Sequence, residues 1–372
     1  MRFSRFSQFR IYGALFVSFL WLVTVLVKWK YNGLIFNFDY GVYQPDGAHY
    51  TYRTLTFLGN SPIHSAELVS NWYQNHSYKM KEIDPTGLLP AHNGAWGLVK
   101  TRILYPILSV PFVSILGIPG MLIVPALSLL ALMLCPLFLV KKEFQVFLTC
   151  GIISLVSFSP TVSRWMLANC TDGLLVGIFS IYITIFLAKE LALRTHLLID
   201  FCFILLTAFT RFCFPFWMGL SIILILRRNY SRAFFMLACS LASAIPSLLT
   251  SGESVILPAE QQTSLGSKLL LLPINFLKII FFETAELAVL DRVLLTLLIF
   301  ALVISIQSYQ ETASQLYLAF LLAGLFIGSI NGTIGVNFRY QLPVLFPTVV
   351  VLTNALPRIF AGLPGSRRLN NL

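Results

Sequence analysis

Ten apolar runs separated by short polar stretches constrain this chain more than any other feature of its sequence. About 20 apolar residues in a helix cross a hydrocarbon core about 30 Å thick. Only 11% of the 372 residues are charged, against roughly a quarter in soluble domains, so a water-soluble fold is excluded. The sequence predicts an all-α, multi-pass transmembrane bundle of about ten spans, a single integral membrane domain over 1–372. The predicted spans are 11–27, 119–140, 144–159, 172–188, 197–210, 212–226, 233–250, 292–306, 315–330 and 341–357.

The distribution of basic residues predicts the orientation of the chain. Residues such as Arg10, Lys141 and Arg228 fall in short tails and loops, and in such segments lysine and arginine favour the cytoplasmic side. We therefore expect a cell-membrane protein with both termini cytoplasmic. Two large outer loops follow, at 28–102, with surface helices, and at 251–291. The net charge of +11 is attributed to orientation and to contact with membrane lipids, and no nucleic-acid partner is expected.

Two segments need a separate interpretation. The run 103–117 is apolar but short and contains two prolines, so it fits either a full span or a re-entrant helix. Counting it as a span would place Lys141 and Lys142 outside, against the charge bias, and we therefore expect it to be re-entrant. The stretch 268–286 is amphipathic and is expected to lie along the membrane surface.

The first outer loop contains two carboxylates among aromatic residues, Asp39 and Asp46. Partial desolvation by the aromatics would suit either one to act as a general base or as a cation ligand. Alternatively, each aspartate only caps or turns the chain, as Pro45-Asp46-Gly47 favours, and a surface helix follows from about Thr51.

Charged residues at the ends of predicted spans form a second group of candidates. Asp172 either faces a water-filled cavity, where ionisable residues are usually functional, or is simply favoured by the helix dipole. Arg211 and Arg339 are flanked by apolar residues, and a guanidinium can bind phosphate in a fork. Alternatively, Arg211 pairs with a neighbouring carboxylate, and Arg339 extends to the membrane interface beside Tyr340.

Histidines and cysteines show no recognisable metal-binding pattern. The histidines of the first loop lack zinc spacing, and the six cysteines lie in or beside apolar runs without C-x-x-C pairs. We leave the identity of any metal unknown and allow for a divalent cation as cofactor. The four histidines of the first loop are His49, His64, His76 and His92.

The candidate residues occur in an order that resembles one enzyme family. After the first apolar run come an acidic residue, a tyrosine and a glycine that ends an apolar helix. A basic residue then opens a proline-containing helix. An acidic residue then starts a span, an arginine ends one, and an Arg-Tyr pair precedes the last long span. These residues are Asp46, Tyr50, Gly59, Arg102, Asp172, Arg211, Arg339 and Tyr340. The series resembles the GT-C superfamily of membrane glycosyltransferases, which includes protein O-mannosyltransferases and the aminoarabinose transferases of lipid A.

The resemblance implies a hexosyltransferase that moves a sugar from a polyprenyl-phosphate donor to an unknown glycan, lipid or protein acceptor on the outer face, by inversion. Arg211 and Arg339 would hold the donor phosphate. Asp46, or failing that Asp39, would take the acceptor proton. The other implied site residues are Asp172 as a further catalytic candidate, and Tyr50, Arg102 and Tyr340 in substrate binding.

Three other kinds of function stay open. A lipid or glycan transporter or flippase would use the same residues without chemistry, although the chain lacks the internal repeat of many transporters. A polysaccharide polymerase or ligase would also use arginines on the outer face. A scaffold of an envelope assembly complex would use the polar first loop for docking.

Overall fold

The computed structural model describes residues 5–30, 43–76, 83–90, 99–188, 191–250, 265–331 and 338–361. Most of these residues are helical and none forms a β-strand, so the all-α prediction is confirmed. The α-helices, in chain order, are α1 (Arg5–Lys30), α2 (Pro45–Phe57), α3 (Pro62–His76), α4 (Leu104–Leu116), α5 (Ile123–Leu139), α6 (Glu143–Phe158), α7 (Pro160–Met166), α8 (Thr171–Ala188), α9 (Leu193–Ala208), α10 (Phe214–Leu226), α11 (Tyr230–Thr250), α12 (Leu265–Leu290), α13 (Arg292–Gln307), α14 (Thr312–Asn331) and α15 (Leu345–Ala361).

Several of these helices are compatible with a membrane protein. Within the described ranges, five helical segments are long and apolar enough to cross a membrane, or six if α6 and α7, bent by 75° at their junction, form one span. Four more apolar helices have only 10–17 residues: Leu104–Leu116, Phe214–Leu226, Tyr230–Ile245 and Arg292–Gln307. The five long segments are Ser7–Lys30, Ile118–Leu139, Thr171–Ala188, Thr312–Ile330 and Leu342–Ile359.

Prolines set the starts of several helices. Pro45, Pro62 and Pro160 are each the first residue of a helix, where the fixed φ of proline suits the helix and its missing N–H is not needed. Pro45-Asp46-Gly47 therefore opens α2 and does not form a separate turn. The expectation that this helix begins near Thr51 is wrong by about two turns.

The buried apolar residues form two hydrophobic cores. The larger one, which we call the bundle core, packs the long helices around aromatic side chains such as Phe179, Trp217 and Phe320. The smaller one, which we call the loop core, is rich in tyrosine and joins α2, α3 and α4 to the start of α8. The loop core contains Tyr43, Tyr50, Tyr52, Tyr73 and Tyr105.

The long helices run back and forth, so the bundle has two ends. At one end Arg10 donates a hydrogen bond to the carbonyl of Val140, and Arg358 pairs with Glu311. We call this the basic end. The start of α8 lies at the opposite end, against the loop core, and the segment before α15 reaches the same end through the contacts of Arg339 with Asp46 and Asp172.

Candidate functional site

Four charged side chains from distant parts of the chain meet at the end opposite the basic end. Arg339 Nε donates to Asp172 Oδ2 at 2.9 Å, and Arg339 Nη2 donates to Asp46 Oδ2 at 2.5 Å. Arg211 forms an ion pair with the other oxygen of Asp172. We call Asp46, Asp172, Arg211 and Arg339 the charge cluster. All four were candidates from the sequence, and the structure brings them into direct contact.

Helix starts place both carboxylates of the cluster. Asp46 is the second residue of α2, and Asp172 is the second residue of α8. The partial positive charge at a helix N-terminus stabilises carboxylates there. Asp172 therefore fits the helix-dipole interpretation of its sequence, and it also lies in a buried polar cluster and not in a wide water-filled cavity. Its side chain is only 2% exposed, whereas that of Asp46 is 47% exposed.

Asn169 holds α2 against the segment that precedes α8. Its Oδ1 accepts a hydrogen bond from the backbone N–H of Gln44 at 2.9 Å, and its amide nitrogen donates to the hydroxyl of Tyr73. Gly47 lies so close that a Cβ there would be 2.1 Å from Asn169 Oδ1. These contacts place Asp46 beside Asp172. Sequence reasoning missed this role of Asn169, which no local pattern marks.

Aromatic rings cover the two arginines of the cluster. The Cζ of Arg211 lies 4.6 Å from the ring centroid of Tyr340, and the Cζ of Arg339 lies 4.8 Å from that of Trp165. Both distances suit cation–π attraction. The interpretation that Arg339 extends to the interface is wrong, because its side chain is 14% exposed and bonded to two carboxylates. Sequence reasoning did not identify Trp165.

Positive charge dominates around the exposed carboxylate. The guanidinium of Arg339 lowers the pKa of Asp46 to about 2, and Arg102 and Arg211 act in the same direction. Arg102 donates to the hydroxyl of Tyr50 at 3.2 Å, and Tyr50 lies one helical turn after Asp46 on α2. Three guanidiniums thus face two carboxylates. Such an arrangement favours an anionic ligand.

Glu283 of α12 anchors the turn that carries Arg339. Its carboxylate accepts a hydrogen bond from the backbone N–H of Phe338. Phe338 has φ +64°, a conformation that is costly for a bulky residue unless its surroundings hold it. Burial, with a smaller contribution from the nearby Glu286, raises the pKa of Glu283 to about 7, although the hydrogen bond from Phe338 acts in the opposite direction. Sequence reasoning missed Glu283 as well.

The cluster lies next to an apolar groove. The space among Asp172, Arg211, Arg339 and Tyr340 is about 10 Å³, which is room for about one water molecule. Phe216 and Ile327 also line it. Their chain neighbours belong to an apolar groove of about 490 Å³ between α10 and α14, lined at this end by Pro215, Ala323 and Phe326.

The remaining predicted site residues have different outcomes. Tyr340 and Arg102 lie at the cluster, and Tyr50 adjoins it through Arg102. Asp39 lies outside the described residues. Among the residues that the structure describes, no group of three or more histidine, cysteine, aspartate or glutamate side chains could hold a metal ion.

Searches of protein-family models, of curated proteins and of solved structures find no match to this chain.

Proposed function

We propose that this protein is a membrane glycosyltransferase of the GT-C type, which transfers a sugar from a polyprenyl-phosphate donor at the outer face of the membrane. The observation that carries the proposal is the charge cluster, which lies next to an apolar groove. Two arginines there can bind a phosphate, and an exposed carboxylate lies within hydrogen-bond distance of one of them.

The proposed topology has about ten spans, with both termini cytoplasmic and the charge cluster outside. The arginines of the basic end support it, because Arg10 and Arg358 would then face the cytoplasm. With α6 and α7 as one span and α4 re-entrant, the other three shorter apolar helices and α9 would complete the ten spans beyond the six long ones. The prolines and length of α4, only 13 residues, support a re-entrant position for it.

The donor would lie across the junction of the cluster and the groove. Its phosphate would bind Arg339 and Arg211, whose planar guanidiniums suit phosphate oxygens. Its isoprenoid chain would lie in the apolar groove between α10 and α14, whose size is typical of a small-molecule site. Tyr340, which covers Arg211, would limit the access of water to the phosphate.

The proposed reaction is a single displacement. The acceptor hydroxyl oxygen attacks the anomeric carbon and forms the new C–O bond, while the bond from that carbon to the phosphate oxygen breaks. The leaving polyprenyl phosphate keeps the electron pair, and Asp46 takes the hydroxyl proton. Arg339 and Arg211 stabilise the charge that develops on the phosphate. One displacement at the anomeric carbon inverts its configuration.

The test uses the full chain in lipid nanodiscs with a panel of polyprenyl-phosphate hexoses labelled in the sugar. Membranes from the source cells supply the acceptor. We expect labelled sugar to leave one of the donors with the wild-type protein but not with Asp46→Asn. Movement of intact donor across the bilayer without sugar release would instead support a flippase. Equal release by the two proteins would refute the assigned chemistry.

A further inference from the structure

We infer that an anionic donor binds by exchange, so that its phosphate replaces Asp46 on Arg339 while the pair between Arg339 and Asp172 stays intact. The inference rests on the proposed function, and it adds an order of events at the same site. Four observations support it: the space in the cluster, the exposure of the two carboxylates, the number of their partners, and the cores to which they belong.

The cluster has no room for a phosphate beside its present ion pairs. The space among Asp172, Arg211, Arg339 and Tyr340 is about 10 Å³, enough for about one water molecule. A phosphate group with four oxygens is much larger. A phosphate that takes a place within the cluster at Arg339 must therefore displace a group that already contacts this guanidinium. Among the described residues, its hydrogen-bonded partners are Asp46 and Asp172.

The two carboxylates differ in what their release would leave behind. Asp172 is 2% exposed and is held by two guanidiniums, so its release would leave a buried charge without compensation. Asp46 is 47% exposed, and a single guanidinium pairs with it in the structure. On release, its carboxylate can hydrate at once. Asp46 is therefore the partner that a phosphate displaces.

The exchange would disturb neither hydrophobic core. Asp46 belongs to α2, which packs in the loop core, whereas Arg339 lies over Trp165 of the bundle core. Asn169 holds α2 in place through Gln44 and Tyr73, independently of the ion pair. The displaced carboxylate can thus turn away from Arg339 while its helix stays docked.

Exchange links donor binding to the strength of the base. In the absence of donor, the charge of Arg339 holds the pKa of Asp46 down to about 2, which makes the carboxylate a weak proton acceptor. With the phosphate on Arg339, that charge is neutralised and the pKa of Asp46 rises. The base would then become effective only when a donor is bound.

The first measurement is carboxylate labelling of the full-length wild-type protein in detergent micelles. An excess of water-soluble carbodiimide and an amine is applied with farnesyl phosphate, with farnesol, or with neither, and modified peptides are quantified by mass spectrometry. We expect farnesyl phosphate, but not farnesol, to raise the labelling rate of Asp46 several-fold. Glu311, an exposed carboxylate at the basic end, is the control in the same sample, and its rate should not change.

The second measurement is the affinity for farnesyl phosphate, by titration calorimetry. Asp46→Asn removes the competing charge, since a neutral amide is a weaker partner for a guanidinium than a carboxylate, and should tighten binding about tenfold. Glu311→Gln removes one negative charge at the basic end, far from the cluster, and should leave the affinity for farnesyl phosphate unchanged. Arg339→Gln should abolish the difference between farnesyl phosphate and farnesol.

The outcomes separate the two proposals. If farnesyl phosphate binds in a way that depends on Arg339, but protects Asp46 from labelling or leaves it unchanged, the exchange is wrong and the phosphate site stands. If farnesyl phosphate binds no better than farnesol to the wild type and to Asp46→Asn, or binds Arg339→Gln equally well, both the exchange and the proposed phosphate site are refuted.

Discussion

Two buried aspartate–arginine networks lie in this bundle, and they are built differently. In the first, Asp200 accepts hydrogen bonds from Arg232 Nε at 2.6 Å, from Arg232 Nη2 at 2.8 Å and from the hydroxyl of Tyr182 at 2.8 Å. Neither charged side chain is more than 6% exposed. The second network is the charge cluster, in which Arg339 is shared by two carboxylates and one of these is half exposed.

The difference indicates which network can exchange partners. The bidentate contact of Asp200 with Arg232, completed by Tyr182, uses both carboxylate oxygens, and opening it would expose charge to an apolar interior. In the charge cluster, Asp46 can leave for water without that cost. Buried charge alone therefore does not distinguish the charge cluster, which is the proposed site, from the pair of Asp200 and Arg232. The distinguishing feature is a charged partner that solvent can reach.

The largest effect is expected at Asp46. Asp46→Asn keeps size and polarity but removes the base, and general-base catalysis typically contributes about 10²–10⁴-fold in rate. Sugar release in nanodiscs should fall by that factor, while the unfolding midpoint in detergent stays unchanged because the side chain is half exposed. Full activity of this variant would assign the role of base to Asp39 or Asp172.

Arg232→Leu should produce the opposite result, a loss of stability without a loss of donor binding. Removing one partner of a buried ion pair costs about 3–5 kcal/mol. Denaturant unfolding in detergent measures the loss, and farnesyl phosphate titration checks the charge cluster. The double variant Asp200→Leu/Arg232→Leu should recover most of the stability, because no unpaired charge is left. If the single variant is as stable as the wild type, the contrast between the two networks fails.

Arg339→Lys tests whether phosphate binding needs the planar shape of the Arg339 guanidinium as well as its charge. Lysine cannot contact two phosphate oxygens with a planar fork, and a charge-assisted hydrogen bond contributes on the order of 1.5–3 kcal/mol. We expect weaker binding of farnesyl phosphate and an unchanged unfolding midpoint. Lost stability with unchanged affinity would show that Arg339 is a structural anchor and would direct the search for the phosphate to Arg211.

Glu283, which anchors the turn that carries Arg339, should make the free energy of unfolding depend on pH. Its pKa is raised to about 7 in the folded protein, so the folded state binds more protons than the unfolded state from about pH 4.5 to 7. Its contribution to stability is therefore favourable at low pH and lost as pH rises through 7. Glu283→Gln keeps an oxygen for the N–H of Phe338 and should remove that loss, which is about 3 kcal/mol because one pKa unit corresponds to about 1.4 kcal/mol. The unfolding midpoints of the wild type and of Glu283→Gln at pH 5 and pH 8 measure this loss of stability. An equal decline of the midpoint in the two proteins would contradict the assignment.

The sequence identified residues of the charge cluster where a charged residue interrupts or borders an apolar run. Asp172, Arg211 and Arg339 are conspicuous because a charged side chain beside a membrane span needs a partner, and each of them has one in the structure. The all-helical fold followed from composition and run length in the same way. Which of the arginines pairs with which carboxylate depends on tertiary packing, and the sequence left those alternatives open.

Other features of the site could not be predicted because they depend on contacts between distant elements. Asn169, Trp165 and Glu283 are ordinary residues in their local sequence, and each acts through a segment far along the chain. The start of α2 was misplaced for a different reason. Pro45-Asp46-Gly47 fits both a turn and a helix N-terminus, and only docking against Asn169 selects the helix.

The contact between Arg339 and Asp46 joins residues 293 positions apart, and this bears on the order in which the protein assembles. As the chain emerges during synthesis, the loop core can close once α8 has been made, since it draws on Leu174 and Ile178. The pair of Asp172 and Arg211 can form soon afterwards. The second guanidinium arrives only with the segment before α15, near the end of translation. A polypeptide still in the translocon would therefore have a closed loop core, but neither a complete bundle core, which includes Leu345 and Phe346 of α15, nor a complete charge cluster. The proposed donor could not bind before the last helix docks.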